Sequence, residues 1–307
     1  MEDTQPGTPT LLGFPDYRDP ARRLAEAAGL PYAEVDIHHF PDGESKVRLP
    51  LPLPEQLIFC RSLDRPNDKL VELELAAVTA RQLGARHLTL VAPYLAYMRQ
   101  DIAFHPGEAV SQRIVGAMLA RHFDALVTVD PHLHRVHRLE EAVPVARAVT
   151  LSATRPMADY LARHGDRPFL IGPDEESEQW VAAIAAQGRL DYSVARKERR
   201  GDRDVRVTVP EAAYAGRNLV LVDDVASTGR TLEEAARALA RYRPASLSVL
   251  VTHALFVGDA EQRLAAAGVT HICSTDSVLH HSNRLQLAPL LASALEPESV
   301  LAFHESA

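Results

Sequence analysis

Residues 219–231 run Leu219-Val220-Leu221-Val222-Asp223-Asp224-Val225-Ala226-Ser227-Thr228-Gly229-Arg230-Thr231, and this stretch decides the fold class. Four apolar residues form a short β-type run that delivers two acids, and a Ser/Thr/Gly turn follows. From Leu232 to Tyr242 apolar residues then recur at helical spacing. Strand, turn and helix in that order make one unit of an α/β fold. The turn offers backbone N–H groups and hydroxyls at a helix N-terminus, where a phosphate binds well. The acids stand at the carboxyl end of the strand, where open α/β sheets bind ligands. Phosphate donors beside paired carboxylates suit a sugar phosphate, the turn holding the phosphate and the acids accepting from hydroxyls. An ordinary strand–turn–helix with a capping Ser or Thr needs no ligand. Asp-Asp followed by Thr-Gly-x-Thr at this spacing favours the sugar-phosphate reading.

Outward from this unit the same alternation recurs. Short apolar runs predict strands over 10–13, 34–38, 56–60, 87–92, 125–129, 145–150, 168–171, 192–195, 219–222, 247–252 and 270–273. Amphipathic stretches predict helices over 19–28, 68–83, 111–122, 154–163, 175–186 and 289–295. Each half carries one strand that ends in an acid, 126–130 and 219–223, which points to two related α/β units. The expected domains are 1–150 and 151–307, with the last residues able to pack back on the first.

The chain has 307 residues, enough for about two domains, and its 46% hydrophobic and 24% charged content is ordinary for a globular protein. A net charge of −8 disfavours broad nucleic-acid binding. No apolar run approaches the ~18 residues a membrane span needs. The N-terminal residues lack the basic and apolar regions of a signal peptide, so a cytoplasmic location is expected. The two cysteines, Cys60 and Cys273, lie in β-like runs and read as small core residues. Lysine occurs only at Lys46, Lys69 and Lys197, every other basic residue being arginine.

Four further segments carry chemistry. Phe40-Pro41-Asp42-Gly43-Glu44 is a turn in which an apolar ring could stack on a purine while Asp42 and Glu44 accept from its amino edge; a plain Pro-Asp-Gly hairpin turn explains it equally well. Arg99 and Gln100 follow the strand that ends at Ala92, and a guanidinium just beyond a strand end suits a polyphosphate. In Asp130-Pro131-His132-Leu133-His134-Arg135 an acid and a histidine at a strand end could hold a hard cation; His-x-His is also half of a transition-metal site, with His137 the one obvious further ligand, and a structural or solvated His pair is commoner than either. Arg196-Lys197-Glu198-Arg199-Arg200-Gly201-Asp202-Arg203 is a charge run that reads either as a solvated face or as a mobile cationic loop able to close over a transferring phosphoryl group.

The loop at 223–231 resembles the phosphoribosyl-binding loop of type I phosphoribosyltransferases. Taken in order, all these segments resemble the ribose-phosphate diphosphokinases (phosphoribosyl diphosphate synthetases) over residues 10–295. Phe104 with Gly107-Glu108-Ala109-Val110-Ser111 looks more like the archaeal-type branch than the common bacterial one. The resemblance implies an α/β fold of two similar phosphoribosyltransferase-like domains, each a mainly parallel sheet flanked by helices. It implies transfer of the β,γ-diphosphoryl group of ATP to the anomeric hydroxyl of ribose 5-phosphate, with Mg2+. Phe40 would stack on adenine from a neighbouring subunit of a homo-oligomer, with Asp42 and Glu44 close by and Arg99 and Gln100 on ATP. His132 and Asp130 would serve the Mg2+–triphosphate, and Asp174 the ribose and its metal. Lys197 and Arg199 would be the catalytic pair, Asp223 and Asp224 would hold the ribose hydroxyls, and Ser227, Thr228, Gly229, Arg230 and Thr231 would cradle the 5-phosphate.

The chain departs from that pattern in places. Asp174-Glu175-Glu176-Ser177 stands where Asp-Ala-Gly-Gly is frequent, adding two acids and removing both glycines. Ser227 replaces a frequent Asp, and Arg230 replaces a usual Gly, where it could contact phosphate or crowd the loop. Ile102-Ala103-Phe104-His105 replaces a basic segment, so the ADP and phosphate regulation of the bacterial enzymes is not implied. Two other outcomes stay open: a non-catalytic regulator that keeps the fold, and a paralogue with an altered acceptor.

Overall fold

A computed structural model describes residues 8–133, 135–164, 167–199, 205–210 and 212–295. The chain divides into two units, one running to Leu151 and resuming at Leu287, the other Ser152–Gln286. The first unit contains β1 (Thr10–Gly13), β2 (Tyr32–Glu34), β3 (Asp36–His39), β4 (Ser45–Arg48), β5 (Gln56–Cys60), β6 (His87–Ala92), β7 (Ala125–Val129) and β8 (Arg147–Leu151). Its helices are α1 (Arg18–Ala28), α2 (Pro66–Gln82), α3 (Ser111–Ala120) and α4 (Leu139–Ala142). The second unit holds β9 (Phe169–Gly172), β10 (Tyr192–Val194), β11 (Arg196–Arg199), β12 (Val205–Thr208), β13 (Asn218–Ala226), β14 (Ser246–Ala254), β15 (His271–Thr275) and β16 (Asn283–Leu285). Its helices are α5 (Thr154–Arg163), α6 (Glu178–Gly188), α7 (Arg230–Ala240) and α8 (Ala260–Ala266). A last helix, α9 (Ala288–Ala292), packs on α1 in the first unit.

The two units repeat one topology. The first sheet has the order β2-β1-β5-β6-β7-β8 and the second β10-β9-β13-β14-β15-β16, and every adjacent pair is parallel. After its second strand each unit adds a separate antiparallel hairpin, β3–β4 in the first and β11–β12 in the second. Parallel strands need both faces covered, which is why β5, β7 and the 219–222 run of β13 are apolar almost throughout. In the first unit Phe59 packs edge-on against Phe123 at 5.7 Å within a core shared with Leu57, Leu73, Leu90 and Leu126. In the second, Leu232, Ala235, Ala236 and Leu239 present one face of α7 to Leu221, Val249 and Val251. Each fully buried leucine of this kind contributes roughly 1.5–3 kcal/mol.

Several elements differ from the sequence expectation. The run 34–38 is two strands, because Val35 is buried and its N–H is taken by the Gly13 carbonyl (2.9 Å), after which the chain leaves the sheet for the hairpin. Strand β13 continues past 222 to Ala226, since Val225 and Ala226 pair with His253 and Ala254, so Asp223 and Asp224 lie within the strand. The charge run at 196–203 opens as a strand, β11, paired with β12; residues 200–204 lie outside the described part. The acid-bearing strands of the two halves are not counterparts: Asp130 follows the fifth strand of its sheet and Asp223 lies in the third of the other. The counterpart of Asp130 is Asp276, after β15, and both are buried. Cys60 is a core residue, whereas Cys273 is half-buried with its Sγ 3.2 Å from the Tyr160 hydroxyl. No helix among the described residues is long and apolar enough to cross a membrane.

Candidate active site

In the second unit the carboxyl ends of β9 and β13, neighbours in the sheet, bring Asp174, Asp223 and Asp224 together. Asp223 accepts from the Asp224 N–H (3.0 Å), and Asp224, almost fully buried, accepts from the Val225 N–H (2.8 Å). Burial pushes the Asp223 carboxyl well above the ordinary carboxylate range, and the Asp224 and Asp174 carboxylates push it the same way. The site therefore concentrates negative charge in a poorly solvated place, which favours a cation or a hydroxyl donor as its ligand.

The segment after β9 keeps its turn without glycines. Ser177 is buried, its hydroxyl donates to the Asp174 carbonyl (2.5 Å), and Glu175 and Glu176 are exposed. The turn requires Gly172 instead: a Cβ there would lie 2.5 Å from the Ser177 Oγ.

Downstream of the acids, Ser227 and Thr231 are half-buried, Thr228 and Arg230 exposed, and Gly229 buried with φ +69°. Gly229 caps α7 in the left-handed region, and a Cβ on it would also press on Ala260 at 3.3 Å. Arg230 is the first residue of α7 and is exposed. The loop is held from behind: the Val257 N–H donates to the Ser227 carbonyl (2.9 Å) and Arg263 on α8 donates to the Thr228 carbonyl (2.5 Å) while pairing with Glu233 (2.9 Å). Arg263 has no signal in the local sequence, because its target is a backbone carbonyl 35 positions earlier.

Lys197 and Arg199 occupy β11, opposite Val207 and Val205. At the end of β14, buried His253 shares a hydrogen bond with Ser277 (2.9 Å), whose hydroxyl donates to the Thr252 carbonyl (2.7 Å). Sequence reading passed over this pair, since His253 sits inside an apolar run.

In the first unit, Phe40, Asp42 and Glu44 sit at the exposed tip of the β3–β4 hairpin. The Phe40 N–H donates to the Glu44 carbonyl (2.8 Å), and the ring, 41% exposed, meets the His38 ring edge-on at 4.9 Å. The strand pair next to the turn, His39 and Ser45, is anchored by Glu72 of α2, which accepts from Ser45 Oγ (2.8 Å), pairs with His39 (2.7 Å) and binds Arg61 (2.5 Å). Burial opposes ionisation of Glu72, but the hydrogen bonds from Ser45, Arg61 and His39 outweigh it and hold the carboxyl below its usual range.

The other predicted residues of this unit follow β6 and β7, adjacent in its sheet. Arg99 is exposed; Gln100 accepts from Ser111 Oγ (2.6 Å). Asp130 is buried with φ +39°, its N–H donating to the Leu151 carbonyl (2.9 Å), and His132 is half-buried beside it in the chain. His134 lies outside the described residues. The two segments are braced by Asp101, which accepts from the Arg135 N–H (3.2 Å) and guanidinium (2.8 Å). Burial opposes the charge on Asp101, yet the Arg135 contacts win and lower its pKa.

A parallel six-stranded sheet with acids at one end of the third strand and a left-handed glycine opening the next helix defines a phosphoribosyltransferase-like fold, and residues 148–272 match the phosphoribosyl transferase domain family. Residues 11–122 match the N-terminal domain of ribose phosphate pyrophosphokinase, and the chain belongs to the ribose-phosphate pyrophosphokinase family. It is 37% identical over 278 residues to the ribose-phosphate pyrophosphokinase of Methanopyrus kandleri, covering 90% of this chain and 94% of that one. It is 32% identical to the ribose-phosphate pyrophosphokinase of Halobacterium salinarum over 93% of this chain and all of the relative. These relatives are archaeal, as the segment at 104–111 led us to expect. The fold matches the crystal structure of phosphoribosylpyrophosphate synthetase from Mycobacterium smegmatis with a TM-score of 0.80 at 21% identity, covering 96% of this chain and 99% of that one.

Proposed function

We propose that the chain transfers the β,γ-diphosphoryl group of ATP to the anomeric hydroxyl of ribose 5-phosphate, giving phosphoribosyl diphosphate and AMP. The observation that carries this is the placing of Asp223 and Asp224 at the end of a buried strand that leads straight into the Gly229 turn, in a chain whose other half belongs to the family's N-terminal domain. In this reading the turn Ser227, Thr228, Gly229, Arg230 and Thr231 takes the 5-phosphate, while Asp223 and Asp224 accept from the ribose hydroxyls. Phe40 stacks on adenine, with Asp42 and Glu44 at its edge and Arg99 and Gln100 along the phosphates.

The anomeric oxygen attacks the β-phosphorus, the bond from that phosphorus to the α,β-bridging oxygen breaks, and AMP leaves with that oxygen. Lys197 and Arg199 stabilise the charge on the transferring group. Magnesium fits the donors present, because a carboxyl that burial and two neighbouring acids drive toward its neutral form is relieved by a hard divalent cation. Asp174 would hold it on the ribose side, and His132 with Asp130 on the triphosphate side. When bound, the ion neutralises charge on phosphate oxygens.

The same reading makes the chain a homo-oligomer, at least a dimer, in which the exposed Phe40 serves a neighbour's site. Val71, Leu75 and Val78 support this, lying exposed along one face of α2 at i, i+4 and i+7. The functional test is incubation of the purified chain with ATP, Mg2+ and ribose 5-phosphate, in which AMP and phosphoribosyl diphosphate form in equal amounts. Absence of AMP would refute the reading, whether the chain is a regulator or acts on another acceptor.

A further inference from the structure

Outside the candidate active site, three groups with metal-binding chemistry converge in the second unit. Glu261 projects from α8, and His280 and His281 lie between β15 and β16. His280 Nε2 is 3.3 Å from Glu261 Oε1 and His281 Nε2 is 2.9 Å from Glu261 Oε2. One ligand atom from each of the three lies within 4.8 Å of the others. The two imidazole centroids lie 4.2 Å apart, with the ring planes tilted by 36°. We infer that Glu261, His280 and His281 form a binding site for a divalent transition-metal ion of the zinc class.

Geometry and donor chemistry carry this inference. Bonds of about 2.0–2.1 Å meeting near the tetrahedral angle separate ligand atoms by roughly 3.4 Å. The observed 3.3 and 2.9 Å fall short of that spacing by little enough for small side-chain rotations to complete it. Two imidazoles and one carboxylate suit zinc and its neighbours better than magnesium, which prefers a shell made mainly of oxygens. The site is open on one side, because His281 is 73% exposed, which leaves room for water as a fourth ligand.

His280 is also held in place by the residues that follow it. Its Nδ1 lies 2.7 Å from Ser282 Oγ, which in turn contacts Ser274 Oγ at 2.7 Å. Its own N–H donates to Asn283 Oδ1 (2.9 Å), and its ring rests on Phe256 at 5.2 Å. Nδ1 also accepts from the Ser282 N–H (3.2 Å), so Nε2 is the ring nitrogen directed at Glu261. Without metal the same groups would form two histidine–glutamate hydrogen bonds, a weak surface arrangement.

An ion here would tie α8 to the β15–β16 connection. Helix α8 is the wall behind the 227–231 loop, through Ala260 against Gly229 and Arg263 on the Thr228 carbonyl. The site therefore stiffens the support of that loop without contacting it.

The test is zinc binding to the full chain in excess Mg2+, measured by competition with a chromophoric chelator, beside the single variants Glu261→Gln, His280→Ala and His281→Ala. We expect one tight zinc ion per chain, weakened on the order of tenfold or more in each variant. Zinc should also slow amide exchange over 260–266 and 276–283. His281→Ala keeps the measurement decisive, because its exposed side chain leaves folding intact. Absence of tight zinc binding by the natural chain, or undiminished binding by His281→Ala, would overturn the assignment.

Discussion

Arg61 and Glu72 form an ion pair almost closed to solvent, with Arg61 Nη2 2.5 Å from Glu72 Oε2, and through Glu72 the pair fastens the hairpin that carries Phe40. Removing one partner of a buried pair leaves the other uncompensated, at a cost of about 3 kcal/mol. We expect Glu72→Gln to lower stability by that order and to raise the KM for ATP by freeing the hairpin. The pH dependence has a definite sign. The folded-state pKa of Glu72 is lowered, so its contribution is present above the ordinary glutamate value of about 4.3 and lost as pH falls through the lowered value. Urea unfolding of both proteins over ~pH 3–7 checks it; a gap between them that does not narrow toward acid would contradict the role given to the charge.

Asp223 has the opposite sign. Burial and its acidic neighbours raise its folded-state pKa, so the apo-protein gains from its protonation at low pH and loses that gain as pH rises through the raised value. Asp223→Asn should therefore be more stable than the natural chain near neutrality and equal to it in acid, while losing turnover. A variant less stable than the natural chain at neutral pH would show that Asp223 is held by a favourable partner.

Arg263 supports the 227–231 loop through the Thr228 carbonyl, and a hydrogen bond from a charged donor contributes about 1.5–3 kcal/mol. Arg263→Ala should raise the KM for ribose 5-phosphate on the order of tenfold and leave that for ATP nearly unchanged. Equal changes in both would mean a general loss of structure.

Lys197 is assigned to the transferring group and not to ground-state binding. Lys197→Ala should lower kcat on the order of a hundredfold or more, with ATP affinity, measured by equilibrium titration, much less affected. Comparable losses in both would make it a binding residue.

The sheets were legible and their attachments were not. Strands β5, β6 and β7 begin and end where the sequence places them, because parallel strands covered on both faces appear as unbroken apolar runs. Helix α5 likewise shows its 3.6-residue pattern plainly. Strands β4, β11 and β12 are short and polar, and their pairing follows from hairpin geometry, which leaves no apolar signal. Within the site, Asp223 to Thr231 could be read locally because acids, turn and helix start are contiguous. Glu72 carries no local signal in the sequence, and only the fold places Arg61, His39 and Ser45 around it. Arg263, His280 and His281 acquire their roles in the same way, from partners distant in the chain.

The most direct measurement follows the β-phosphorus of ATP. With ATP labelled there, Mg2+ and ribose 5-phosphate, the account requires all transferred label in phosphoribosyl diphosphate and none in the AMP released. Label recovered in ADP, with a single phosphoryl group moved to the sugar, would contradict diphosphoryl transfer, as would a chain that leaves ATP intact.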